Sequence, residues 1–195
     1  MRKVIASEFM SLDGIMDDPG GTEGKPYGGW SLKHFNEEYR QFKAAELESC
    51  DALLLGSVTY QRFAETWPLR DGDFADAMNS IKKYVVSSSL QDAEWNNAQI
   101  ISENVVEAVR AIKQQPGENI LVAGSNTLLT TLLEEGLVDE LRIMLHPVIV
   151  GQGRRLFSEG VSGYELKLVK SQSFATGTIV LTYEPAEKAA SDNKK

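Results

Sequence analysis

Four short segments carry residue types that could hold a phosphorylated cofactor or move a proton. Gly124-Ser125-Asn126-Thr127 stands between an apolar run and a helical pattern. Small residues there let the backbone approach a ligand, and the first N–H groups of a helix are unpaired and carry partial positive charge. That suits a pyrophosphate, with Leu128 next in line; a tight turn with an Asn or Thr N-cap is the plain alternative. Gly56-Ser57-Val58-Thr59-Tyr60-Gln61 repeats the arrangement, Ser57 or Thr59 either capping a helix or holding a phosphate. Ser87-Ser88-Ser89 brings three hydroxyls to another strand end, where they line an adenosine phosphate site or simply satisfy loop backbone. Ser11-Leu12-Asp13-Gly14 is first of all an Asp-Gly turn. Its carboxylate is also placed to orient a substrate or relay a proton.

Aromatic and acidic residues add substrate candidates. Trp30 and Phe35 offer a wall for a flat heterocycle, with plain core as the alternative. Glu37 and Glu38 open a helix, where carboxylates favour the positive end whatever the function; Glu38 is the candidate of the pair to face a substrate. Cys50 reads as a packed, inert thiol. His146, followed by Pro147, reads as structural.

The elements that must position these residues alternate. A strand at 3–10 runs into the turn at 11–14 and then a loop at 17–30 with five glycines and two prolines. A loop that long in a compact domain is usually functional, which suggests a flap that excludes water. A helix begins at Ser31 or Asn36 and carries Phe35, Tyr39 and Phe42 on one stripe. Residues 52–55 (ALLL) are a continuous apolar run, as in a strand buried on both faces; 58–66 is helical, and 83–88 and 99–102 are strands. Val105, Val109 and Ile112 mark a helix stopped by Pro116-Gly117. A strand at 119–123, a helix from Gly124 to Gly136, and a strand around 141–145 follow. Strands near 164–171 and 174–184 close as a hairpin. This pattern specifies a three-layer α/β domain over 1–184, a mostly parallel sheet with an antiparallel C-terminal hairpin. In such sheets ligands bind beyond the carboxyl ends of the strands. The tail from 185 to 195 has no large apolar residue and is expected to be disordered.

Composition narrows the function. The 195 residues carry a formal charge of −8 without a dense basic patch, which argues against nucleic acid. A lone cysteine and two histidines without ligand spacing argue against a metal. The start turns polar too early for a signal peptide, and no run approaches the ~18–20 apolar residues that span a bilayer. The expectation is a cytoplasmic protein with no membrane partner.

Taken together, SLDG at 11–14, YGGW at 27–30, DALLLGSVTY at 51–60, KYVVSSSL at 83–90, VAGSNTLLTTLLEEGLVDEL at 122–141 and HPVIVGQGRRLF at 146–157 resemble the dihydrofolate reductase superfamily. The resemblance is strongest to the C-terminal domain of the riboflavin-specific deaminase/reductases and its stand-alone bacterial relatives. It implies a dihydrofolate reductase-like fold and an NADPH-dependent oxidoreductase. Hydride would pass to a pteridine-like or ribosylaminopyrimidine substrate, as in 5-amino-6-(5-phosphoribosylamino)uracil reductases of riboflavin biosynthesis. It implies that Gly56, Ser57, Thr59, Ser87, Ser88 and Gly124 to Leu128 line the dinucleotide, while Asp13, Trp30 and the helix from Ser31 face the substrate. It also implies a homodimer paired through the antiparallel edge.

Three departures from the family pattern stand out. Ser57 stands where an arginine usually helps bind the 2′-phosphate, which leaves NADH open unless Lys82, Lys83 or the serines compensate. Gln61 replaces an acidic residue. Ala123 replaces a substrate-binding glutamate, and Ser125 replaces the second glycine of a pair. The alternatives within this fold are a dihydrofolate reductase proper and a non-catalytic nucleotide-binding sensor.

Overall fold

The computed structural model describes residues 1–157 and 164–186. Eight strands, β1 (Val4–Ser11), β2 (Cys50–Gly56), β3 (Lys82–Val86), β4 (Ala98–Ile101), β5 (Asn119–Val122), β6 (Glu140–His146), β7 (Leu166–Ser173) and β8 (Ile179–Pro185), form one sheet. Its order is β4-β3-β2-β5-β1-β6-β8-β7, parallel through β6 and antiparallel for β8 and β7. Five helices cover it: α1 (Glu37–Glu48), α2 (Ser57–Thr66), α3 (Asp73–Ser80), α4 (Val105–Gln114) and α5 (Asn126–Glu134).

The apolar run of β2 makes sense in the middle of this sheet. Ala52 and Leu54 pack with Val4, Ala6, Ile120 and Val122 under α4 and α5. Leu53 and Leu55 pack with Ile5, Val85, Leu121 and Met78 on the opposite face. Successive side chains point to opposite faces, so a strand covered on both sides must be apolar throughout. A third, smaller cluster joins Tyr39 of α1 to Met144, Phe174 and Val180.

Several expectations shift. Helix α3 has no counterpart in the sequence reading, because Phe74, Ala77 and Met78 are interleaved with Asp73, Asp76 and Asn79 over a short span. Asn36 caps α1, its side chain accepting from Tyr39 N–H, whereas Ser31 precedes a short 3-10 turn at Leu32–His34 without capping it, its hydroxyl donating to Pro19 O at 2.7 Å. Pro185 belongs to β8, and Ala186 N–H still donates to Glu165 O, so the ordered chain runs past 184. The expected tail from 187 onward lies outside the described residues. Among the described residues no helix is long and apolar enough to cross a membrane.

Register opens a cleft. Strand β1 pairs with β5 only from Val4 to Ala6, while its pairing with β6 runs on to Ser11–His146. From Ser7 onward one edge of β1 is therefore free, beside the turn that leaves β5. This gap at the carboxyl edge is where an open α/β sheet takes its ligands.

Candidate functional site

Two turns meet at that gap. Gly56 N–H donates to Gly124 O at 3.3 Å. A Cβ on Gly56 would stand 2.5 Å from Ser125 Oγ, and one on Gly124 would stand 2.8 Å from Thr59 Oγ1. Gly124 has φ of +74°, which favours glycine on its own account. The Gly124–Ser125 peptide is cis. Glycine at both positions lets the start of α2 lie against the start of α5. Helix α2 has no side-chain cap, so its first N–H groups lack a side-chain acceptor, whereas Ser125 caps α5 by accepting from Leu128 N–H.

A cavity of about 310 Å³ extends from these turns along the α1 and α2 face of the sheet. Its apolar wall includes Phe35, Phe63, Trp67 and Leu121; its polar lining includes Glu8, Lys43, Thr59 and Arg62. The loop at 17–30 closes one side through Asp18, Pro19, Gly20 and Thr22. Buried Asp18 organises that loop, its carboxylate accepting from Glu23 N–H and Lys25 N–H at 2.9 and 3.0 Å. A second concavity, about 390 Å³, lies between α1 and α3 beside Cys50 and Lys82, away from both glycine turns. Cys50 is buried, and burial pushes its thiol up, away from thiolate chemistry.

The residue that sequence reasoning missed is Glu8. It is only 4% exposed, lines the cavity, and accepts Gly124 N–H on Oε1 at 2.9 Å. Burial, opposed by that hydrogen bond and by Lys43, raises its carboxyl to about 8. Nearby, Glu46 takes both Lys43 and Arg142, and Arg142 also bonds Glu140 at 2.6 Å. A polar residue in an otherwise buried strand was the available signal, but alternation alone does not say which polar residue faces a cleft.

The expected site residues divide. Thr59, Gly124 and Phe35 line the cavity, with the Phe35 ring 4.5 Å from that of Tyr39. Ser57 begins α2, and Ser88 is exposed at the end of β3. Ser87 is buried and accepts Leu90 N–H at 3.0 Å, turning the loop. Asn126 donates to Arg155 O and Leu156 O, Leu128 is core, and Thr127 is exposed. Trp30 does not line the cavity. It is buried edge-on against His146 and donates to Asp17 O at 2.8 Å, which fixes the loop. Glu38 also lies elsewhere, accepting Ala175 N–H at 2.8 Å.

Asp13 is corrected in place. Its carboxylate accepts from Ser11 Oγ, Val150 N–H and Gly151 N–H at 2.6, 3.0 and 2.7 Å, and it does not line the cavity. The Ser11 hydroxyl first, then the Val150 N–H, hold its carboxyl down to about 2. A carboxylate so engaged clamps the loop after β6. Asp13→Ala is expected to cost about 1–2 kcal/mol of stability and to speed amide exchange at Val150 and Gly151. Because the folded value is depressed, the clamp's contribution is present above about pH 4 and fades as pH falls toward 2. Unchanged exchange at both amides would contradict the clamp.

Lys83 is corrected as well. It is fully buried and donates to Asn79 O, Ile81 O and Asn96 O at 2.8, 2.8 and 2.9 Å. Gly56 pairs with Val86, so Lys82 and Lys83 sit at the amino end of β3. That end is roughly 10–13 Å of strand from the carboxyl edge where Ser57 stands.

Comparison with known proteins bears on the family and the fold. The family model described as RibD C-terminal domain matches residues 2–180. YyaP of Bacillus subtilis (strain 168), an uncharacterised protein, is 28% identical over 187 residues, covering 93% of this chain and 94% of its own. A structure from Shewanella sp. PV-4, named for riboflavin biosynthesis, superposes with a TM-score of 0.75 at 21% identity, over 96% of this chain and 100% of that one. Dihydrofolate reductase of Enterococcus faecalis complexed with NADP(H) gives 0.60 at 16% identity, over 95% and 97%. The fold is thus dihydrofolate reductase-like.

Proposed function

Because this chain belongs to the RibD C-terminal domain family, we propose that it is an NADPH-dependent reductase of the riboflavin-pathway type. Its substrate is a pteridine-like or ribosylaminopyrimidine heterocycle, with 5-amino-6-(5-phosphoribosylamino)uracil as the reference compound. The observation that carries this reading is the contact of the Gly56 and Gly124 turns beside a cavity at the carboxyl edge.

The residues present fit a dinucleotide. The uncapped start of α2 offers N–H groups to phosphate, with Ser57 and Thr59 beside them. Gly124 borders the same cavity ahead of α5, and on this reading Ser125 and Thr127 at the start of α5 and Ser88 after β3 add hydroxyls for the dinucleotide. A reduced nicotinamide, when bound, supplies the hydride. The chain holds the substrate against Phe35 and excludes water with the loop at 17–30. On the same reading the protein works in the cytoplasm and two copies pair through the outer strand β7.

The test is titration with NADPH and NADH, followed by fluorescence. Micromolar affinity, with NADPH favoured by less than about tenfold because Ser57 lacks the arginine fork, is the expected result. Failure of both nucleotides to bind would refute the reading.

A further inference from the structure

We infer that Glu8 is the acid of this site: its Oε2 carries a proton, donates it as a hydrogen bond to an acceptor nitrogen of a C=N-bearing substrate, and delivers it as that bond is reduced. This rests on the reductase reading and names the substrate class more closely.

The argument is one of hydrogen-bond capacity and local charge. Gly124 N–H occupies Oε1, and Oε2 has no hydrogen-bond partner among the described residues although Glu8 lines the cavity. The buried charges nearby balance without it. Lys43 and Arg142 are held by Glu46, and Glu140 takes the rest of Arg142. Across the cavity Arg62 is engaged by Glu65, Arg70 stacks on the Trp67 ring and is matched in charge by Glu23 of the same lining, burial keeps the Tyr39 phenol neutral, and Asp18 is turned onto its own loop. Glu8 therefore has no cation of its own, and a buried carboxyl without one keeps its proton. Such a group presents a free O–H toward the cavity, and the partner that satisfies it offers a lone pair. An unprotonated ring nitrogen or a sugar imine does so; an amino group conjugated to the ring, its pair delocalised, does not.

The balance is that of an imine reduction. The C=N carbon gains a hydride from the reduced nicotinamide, which leaves oxidised. The π pair moves to nitrogen, where a new N–H bond forms as the O–H bond of Glu8 breaks. Solvent then returns a proton to the carboxylate.

Three measurements test this on the intact protein. In wild type the ¹³C carboxyl resonance missing from Glu8→Gln should titrate near pH 8. With NADPH and 5-amino-6-(5-phosphoribosylamino)uracil, Glu8→Gln should lose about 100-fold in kcat with KM within threefold, and lose the decline above pH 8 that wild type shows. Glu8→Asp, which keeps an acid, should recover part of the rate. NADPH affinity should stay within threefold in Glu8→Gln, since an amide oxygen still accepts Gly124 N–H. A titration midpoint below pH 6, or a Glu8→Gln kcat within threefold of wild type, overturns the inference alone. A wild type that binds neither nucleotide, or reduces neither this compound nor dihydrofolate, overturns the reductase reading and the inference with it.

Discussion

Lys83→Met is expected to lower folding stability by about 4 kcal/mol and Tm by roughly 10 °C, measured by urea and thermal unfolding. Methionine matches the length of the stem, so the apolar packing against Trp95, whose ring lies 4.1 Å from Nζ, is largely kept. What disappears is a donor shared by three carbonyls from two segments, Asn79 and Ile81 at the end of α3 and Asn96 before β4. These bonds are part-buried, and each hydrogen bond to a charged donor is worth about 1.5–3 kcal/mol. Relief from burying the ammonium, which desolvation pushes down to about 8, offsets part of this. A loss below 1 kcal/mol would mean that those carbonyls find other partners. Cofactor binding should survive in the folded fraction, because Lys83 stands at the wrong end of β3.

Gly56→Ala is expected to weaken NADPH binding by 30-fold or more, about 2 kcal/mol, at a smaller cost in stability of about 1–2 kcal/mol. Gly56 has φ of −73° and ψ of 159°, a conformation alanine adopts freely, so no backbone strain contributes. The effect is steric: the new Cβ would lie 2.5 Å from Ser125 Oγ and 3.0 Å from Ser125 Cβ. The two turns must part, and the N–H groups at the start of α2 move away from α5. Ser125→Gly in the Gly56→Ala background removes both offending atoms and should restore most of the affinity. Without that rescue, some cause other than contact between the turns would have to be sought.

These variants also mark how far the sequence could be read. Both glycine turns were visible, since small residues between an apolar run and a helical pattern can serve few purposes. Their contact was not, because Gly56 and Gly124 are far apart in the chain and meet only through the pairing of β2 with β5. Lys83, with Lys82 and the serines, stood open as a compensating partner for the arginine missing at Ser57. Its place in β3 turned it into a structural donor. Trp30, Asp13 and Glu38 have the right chemistry for a site, but their polar atoms are taken by loop backbone.

The sequence by itself determined the α/β layering, the carboxyl-edge turns, the Asn36 cap as one of two candidates and the antiparallel finish, because periodicity and capping are local properties. Only the tertiary structure decided which polar groups face the cleft. Glu8 became the cavity's carboxyl when β5 stopped at Val122 and β1 ran on without it. Burial, charge balance and hydrogen-bond capacity belong to the assembled neighbourhood, and no single stretch of chain encodes them.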